Sequence, residues 1–302
     1  MAGAIGTGNH PKALWPGVSS WFGAVYNEHD KQYVKLFDIR STDKNFVEMV
    51  QQTGFGYVPV KPEGDPTAYD SHVQGYLARG TNVAYSMGYV VTREELADNQ
   101  YKEVSMRRAG SLAFSAAQTR EVVGANIYNR VITSGYNGGD GVVLGSTSHP
   151  SLAGDQSNIL AAAADLSEAA LEDLTIQIMN AVDPKGLKIS VKPKCLVIPT
   201  ALTYDAQRIL KSNLRVDSAN NDANALKLVG AIPEIVVNNY LTDTDAWFIR
   251  TNVQDGLCWY DRESLQFTKD TDFDTDNAKA KCYMRFIPFW GDWRTLYSSS
   301  GA

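Results

Sequence analysis

The sequence predicts an α+β fold, and three patterns carry that prediction. A strand-type stretch with a polar tip spans 52–91. A helical stretch begins where it ends and runs over 92–133. Helix and strand signals then interleave toward the C-terminal end. A compact globular domain has little use for an excursion of this length feeding a helix of this length. The pairing points away from a catalytic pocket and toward a subunit that reaches across its neighbours.

Residues 1–50 scatter Trp15, Trp21, Phe22, Tyr26, Tyr33, Leu36 and Phe37 among glycine and proline without a sustained period. They read as an extended arm with one short helical or strand piece. An arm this aromatic must lie on a surface, its own or a neighbour's. Residues 54–61 alternate in strand fashion, and Pro59 demotes them to an edge strand. Pro62, Glu63, Gly64, Asp65 and Pro66 form a concentrated turn signal. Strand character returns over 72–91, through Val73, Tyr76, Leu77, Val83, Tyr85, Met87, Tyr89 and Val91. The two limbs predict a projecting hairpin, which alone is only marginally stable and needs a surface to lie on.

Thr92-Arg93-Glu94-Glu95 is a capping box that starts the long helix. Leu112, Ala116, Val123, Ile127 and Val131 recur near multiples of 3.6 residues. Some forty residues at ~1.5 Å each would span ~60 Å, with a break expected near Asp98 and Asn99. The glycine-rich run from Asn137 to Gly141 ends the helix, and 142–144 reads as a short strand. A second helix starts at Ser167 with Leu171, Leu174, Ile178 and Val182 on one face. A buried strand follows at 194–199, then a helix at 200–212 and a polar loop at 213–224. Strands are predicted at 234–240, 247–251, 257–260, 264–268 and 278–289.

Composition bounds the function. The 302 residues are 44% hydrophobic and 21% charged, with a formal net charge of −6. No basic stripe of the kind that grips phosphates is present; Arg107 and Arg108 are the densest basic spot. No apolar run reaches the ~18 residues of a membrane span, and the first residues lack the pattern of a secretory signal. The chain reads as soluble and made in a cytoplasm. Cys195, Cys258 and Cys282 are far apart, without zinc spacing, and read as small buried apolar residues.

Candidate chemistry is sparse. The aspartates of 270–276 are spaced like a calcium loop, but Thr275 stands where glycine is needed and Lys281 where a bidentate glutamate is needed. The segment reads as a solvated acidic loop. The glycines of 139–145 have the wrong spacing for a dinucleotide fingerprint. His149 follows Ser148 directly, which makes no triad, and no two histidines share a metal-binding spacing. No catalytic residue, cofactor or metal ligand is assigned.

The order of these segments, with the stretches 194–202, 233–241 and 272–286, resembles the major capsid proteins of tailed double-stranded-DNA bacteriophages, the Hong Kong 97-type shell fold. The likeness covers most of the chain and rests on order and spacing rather than on a catalytic signature. It implies an N-terminal arm (1–50), an extended hairpin loop overlapping a neighbour (51–91), a peripheral domain with a spine helix (92–164), an axial domain around the capsomer centre (165–255) and C-terminal strands returning to the peripheral domain (256–302). It implies a non-enzymatic virion protein that self-assembles into hexamers and pentamers of an icosahedral head and encloses DNA without sequence-specific binding. A separate scaffolding protein is expected because few residues precede the hairpin, together with a portal and a decoration protein. Lys61 is the only lysine of the hairpin tip and has no identifiable partner, so no crosslink is predicted. Inter-subunit candidates are Glu63 and Asp65 at the hairpin tip and Arg215, Asp217 and Asp222 in the polar loop. A mildly acidic inner wall would let a genome be packed without adhesion. The rival readings are an encapsulin-like bacterial nanocompartment shell and a soluble α+β hydrolase.

Overall fold

A computed structural model describes residues 16–97, 101–215, 222–272 and 275–301. The chain opens with α1 (Pro16–Glu28) and the single turn α2 (Tyr33–Leu36). Of the arm's described aromatics, Phe22, Tyr33 and Phe37 are buried on their own chain, with Phe22 stacked on Phe267 at 4.6 Å, whereas Trp21 is exposed. Strand β1 (Asp38–Ser41) then adds in parallel to a later strand, so the described part of this segment lies along the body of its own chain.

The expected hairpin is present with different limbs. Strand β2 (Phe46–Gln52) pairs antiparallel with β3 (Gln74–Thr81), from Phe46 opposite Thr81 to Gln52 opposite Gln74. Residues 53–73 form no strand. Pro59, Pro62 and Pro66 each remove a backbone donor, so a paired ladder there would be broken three times. The second expected strand is cut at Asn82, whose backbone N–H and side-chain amide bind the carbonyls of Asn45 and Lys44. Beyond it β4 (Val83–Val91) leaves the hairpin and joins a different sheet.

Glu95 N–H donates to the Thr92 hydroxyl at 3.3 Å, half of the expected capping box. The Glu95 carboxylate does not turn back; it accepts from Arg108 at 3.0 Å. Helix α3 (Arg93–Ala97) precedes α4 (Tyr101–Asn129), and the expected break near Asp98 lies outside the described residues. Helix α4 stops earlier than predicted. Val131, Ile132 and Thr133 are β-branched and poor helix formers, and the backbone tightens into turns there. Its inner face carries Ala109, Ala113, Ala116 and Ala117, all buried; Ala109 packs against Val91, Ala278 and Ala280, and Gly110 lies against Trp21 and Val25 of α1. At Gly124 a Cβ would sit 3.3–3.4 Å from Phe37, Tyr33 and Trp259, so the glycine admits an aromatic cluster against the helix.

Two four-stranded sheets follow. In the first, the order is β1, β8 (Leu257–Thr271), β9 (Ala278–Trp290), β4. The strands expected at 257–260 and 264–268 are one strand, with register shifts between Asp261 and Gln266. The second sheet runs β10 (Leu296–Ser299), β7 (Trp247–Thr251), β5 (Pro193–Ile198), β6 (Glu234–Val237). It is flanked by α5 (Glu168–Met179), α6 (Thr203–Lys211) and α7 (Ala225–Val229). Ser167 caps α5 through Ala170 N–H at 3.2 Å, as predicted. Leu171, Leu174 and Ile178 face inward, whereas Val182 lies beyond the helix end. Strand β10 and helix α7 have no counterpart among the predicted elements. The final strand joins the second sheet rather than returning to the first, because Asp292 caps a 3-10 turn that redirects the chain there.

The second sheet is buried on both faces. Cys195, Val197, Val236, Phe248 and Leu296 enter one hydrophobic cluster with Trp259, Met284, Phe286 and the long helix. Their alternating neighbours Leu196, Ile198, Trp247, Ile249 and Tyr297 enter a second cluster with α5 and α6. Strand alternation of period two assigns each residue to one cluster or the other.

Candidate inter-subunit surface

The feature that stands apart from this body is the excursion 53–73. Its backbone leaves the hairpin through Thr53, whose N–H and hydroxyl both donate to the Val73 carbonyl, at 3.1 and 2.7 Å. Val73 N–H returns to the Thr53 hydroxyl at 2.9 Å. Farther out, the Asp70 carboxylate accepts from Gly56 N–H at 2.8 Å and from Ser71 N–H at 2.7 Å. Lys185 donates to that same carboxylate at 2.7 Å and to the Ser71 carbonyl at 2.9 Å. The Lys185 ammonium and the two backbone N–H groups hold the Asp70 carboxyl down to about 2. Beyond this neck the chain turns at Pro62–Asp65, where Asp65 N–H donates to the Pro62 carbonyl at 3.3 Å and Gly64 takes φ +87°.

The excursion carries apolar residues outward. Tyr57 is 78% exposed, Val58 94%, Val60 93% and Tyr69 94%. Their own chain leaves these side chains uncovered. Sequence alternation pointed to 54–61 as a strand; it did not reveal that these side chains would all stand in solvent.

The predicted charged candidates fall in two places. Glu63 and Asp65 are exposed at the turn of the excursion, as expected. Arg215 is engaged within its own chain: its guanidinium pairs with Glu168 at 3.2 Å, beside the start of α5, and its N–H donates to the Asp222 carbonyl at 2.8 Å. A bridge between Leu214 and Ala223 draws Arg215 and the exposed Asp222 together at the root of the polar loop. Asp217 lies outside the described residues. Lys185 and Asp70, which fasten the neck, were not singled out from sequence. The turn signal Asp183-Pro184-Lys185-Gly186 was there to read.

The polar groups buried in the body fasten rather than react. His149 is wholly buried, stacks on Trp293 at 4.3 Å, and places Nδ1 2.6 Å from Asp140. Asn158 donates to the carbonyls of Leu144 and Leu296, so its Oδ1 faces both Ser146 N–H and His149 Nε2. Both ring nitrogens of His149 therefore face oxygens, Asp140 on one side and Asn158 on the other. Arg120 lies among Tyr33, Trp259 and Phe286 and pairs with Asp261 at 2.5 Å. Next to it, the buried Glu121 carboxylate accepts Tyr33 N–H at 2.9 Å, and burial pushes its carboxyl up to about 7. All three cysteines are buried, and burial raises the Cys195 and Cys258 thiols to about 11, which leaves them unreactive. Around the acidic loop, Asp272 pairs with Lys279 and Asp276 with Arg93. Among the described residues no helix is long and apolar enough to cross a membrane.

The sequence profile described as phage capsid protein matches residues 81–299, more than two thirds of the chain. The chain belongs to the phage capsid protein family. The match begins at the last residue of β3, so the excursion lies outside it. Solved structures agree on the fold. The capsid protein of a native GTA particle superposes with a TM-score of 0.56 at 10% identity, covering 91% of this capsid protein and 91% of that chain. A chain of Mycobacterium phage Patience gives 0.55 at 9% identity, covering 99% and 89%. The virus-like particle from Pyrococcus furiosus gives 0.52 at 11% identity, covering 95% and 99%. At these identities the likeness concerns the fold, which is of the Hong Kong 97 type. No curated protein sequence matches this capsid protein. As a capsid protein it is a structural component of a phage particle.

Proposed function

We propose that this chain is the major capsid subunit of a tailed phage, assembling through hexamers and pentamers into an icosahedral head around double-stranded DNA. The observation that carries the reading is the excursion 53–73, which exposes Tyr57, Val58, Val60 and Tyr69 to solvent on a neck tied down at its root. Such a surface is complete only when a second copy covers it. In this reading residues 1–50 are the arm, 51–91 the extended loop that overlaps a neighbour, 92–164 and 165–255 the peripheral and axial domains, and 256–302 the strands that return to the peripheral domain. Glu63 and Asp65 meet a neighbouring copy, and Arg215, Asp217 and Asp222 line the capsomer centre. A scaffolding protein, a portal and a decoration protein complete the particle, which forms in the host cytoplasm. The net charge of −6 supports a wall that does not bind DNA sequence.

The test replaces residues 60–72 with a short Asn-Gly turn. The subunit folds, by circular dichroism, and electron microscopy with the co-expressed head proteins shows no closed shells. Wild-type shells from this variant would defeat the overlap role. A cargo-enclosing bacterial nanocompartment is the second reading, supported by the shell fold shared with the virus-like particle from Pyrococcus furiosus. Nuclease-protected DNA in purified particles separates the two.

A further inference from the structure

We infer that Lys185 is a positioning residue for assembly: it clamps the root of the excursion to the subunit's own body and so sets the direction in which the tip reaches a neighbour. The inference rests on the overlap role proposed above. Lys185 sits on a loop that is itself fixed. Asp183 Oδ1 accepts both Lys185 N–H and Leu187 N–H at 2.8 Å, Gly186 takes φ +87°, and Ala153 N–H donates to the Pro184 carbonyl at 3.0 Å. Arg294, almost wholly buried, donates to the Val182 carbonyl at 3.0 Å just before the loop. The lysine side chain is only 16% exposed, and its ammonium lies 6.0 Å from the centre of the Phe55 ring.

From this anchor the ammonium binds two adjacent residues of the returning limb, Asp70 and Ser71, and reaches the outgoing limb through Asp70. Asp70 Oδ2 also holds Gly56 on the outgoing limb, and the Ser71 carbonyl belongs to the returning limb. One cation therefore gathers both limbs onto the 183–187 loop. Beyond Gly56 and Asp70 nothing in the described residues ties the excursion to the body, so the apolar tip pivots from this point. Without the clamp, the pivot retreats to the Thr53 and Val73 pair. Fewer subunits then present the tip in the orientation a neighbour can accept, and apparent affinity falls by that fraction.

The experiment measures the subunit concentration at which shells first form, by light scattering with co-purified head proteins. Lys185→Met keeps the stem and removes the charge. It raises that concentration about five-fold, the scale of one partly exposed ion pair. Hydrogen exchange speeds up at Gly56 and Ser71 while the two sheets stay protected. Lys185→Arg restores the wild-type threshold, because a cation again reaches Asp70; a purely structural role in packing would not be rescued by charge. If Lys185→Met does not fold, Asp70→Ser cuts the same pair from the other side. A wild-type threshold for Lys185→Met, while the shortened tip fails to close shells, overturns the clamp and leaves the overlap role standing. Wild-type thresholds for both variants overturn both.

Discussion

Glu121 makes the stability of the isolated subunit depend on pH in a direction opposite to most surface carboxylates. Its side chain is buried against α2 and accepts Tyr33 N–H, and burial lifts its carboxyl from the ordinary 4.5 to about 7. The folded subunit therefore holds a proton that the unfolded chain releases between these values. Stability contributed by the protonated form is fully present below 4.5 and is lost as pH rises through about 7. Between about pH 5 and about pH 8 the loss amounts to roughly 2.5 kcal/mol, at ~1.4 kcal/mol per unit. Glu121→Gln keeps the shape and an acceptor for Tyr33 but cannot ionise. The variant should match the wild type well below about pH 4.5 and exceed it by up to about 3.3 kcal/mol at about pH 8. With a urea slope of about 3 kcal/mol per molar, the midpoint difference at that pH is about 1.1 M. Urea titrations of both proteins across this range, followed by tryptophan fluorescence, supply the comparison. A constant gap between the two curves at every pH would refute the argument, because it would mean that Glu121 is ionised, or neutral, throughout.

Two further substitutions probe other parts of the body. Asn158→Ala strands the carbonyls of Leu144 and Leu296 and the N–H of Ser146 in the interior. It should cost about 3 kcal/mol or more, read as a lowered urea midpoint; a loss under about 1 kcal/mol would mean that water replaces the amide. Arg215→Glu sets a second carboxylate against Glu168. It should disturb capsomer formation at low salt, with relief as salt screens the repulsion, while the melting curve of the lone subunit shifts by less than about 1 kcal/mol. Normal capsomers at low salt would remove the loop from the capsomer centre.

The parts of the fold that sequence disclosed were those with a local cause. Thr92 and Ser167 announce helix starts because each hydroxyl meets a backbone N–H three residues on. The apolar run at 194–199 announces a strand buried on both faces. What sequence concealed depended on partners far along the chain. Residues 72–91 look like one strand, and only the contacts of Asn82 with Lys44 and Asn45 divide them between two sheets. Strand β10 is four residues long and exists because β7 lies beside it. The turn chemistry of 62–66 located the tip of the excursion correctly. Its root depends on Lys185, more than a hundred residues away, which no local pattern links to Asp70.

The second sheet, filled on both faces, also has a mechanical meaning. Because β5, β7 and β10 send alternate side chains into two hydrophobic clusters, they form a party wall rather than an outer skin. Sliding one half of the subunit past the other would shear close-packed side chains on both sides of that wall at once. A shell inflated by its contents would find little give there. Its compliance would reside in the two limbs beyond Gly56 and Asp70, where no buried residue resists bending. Stiff tiles joined by pliant straps can change the angle between neighbours without any tile being rebuilt.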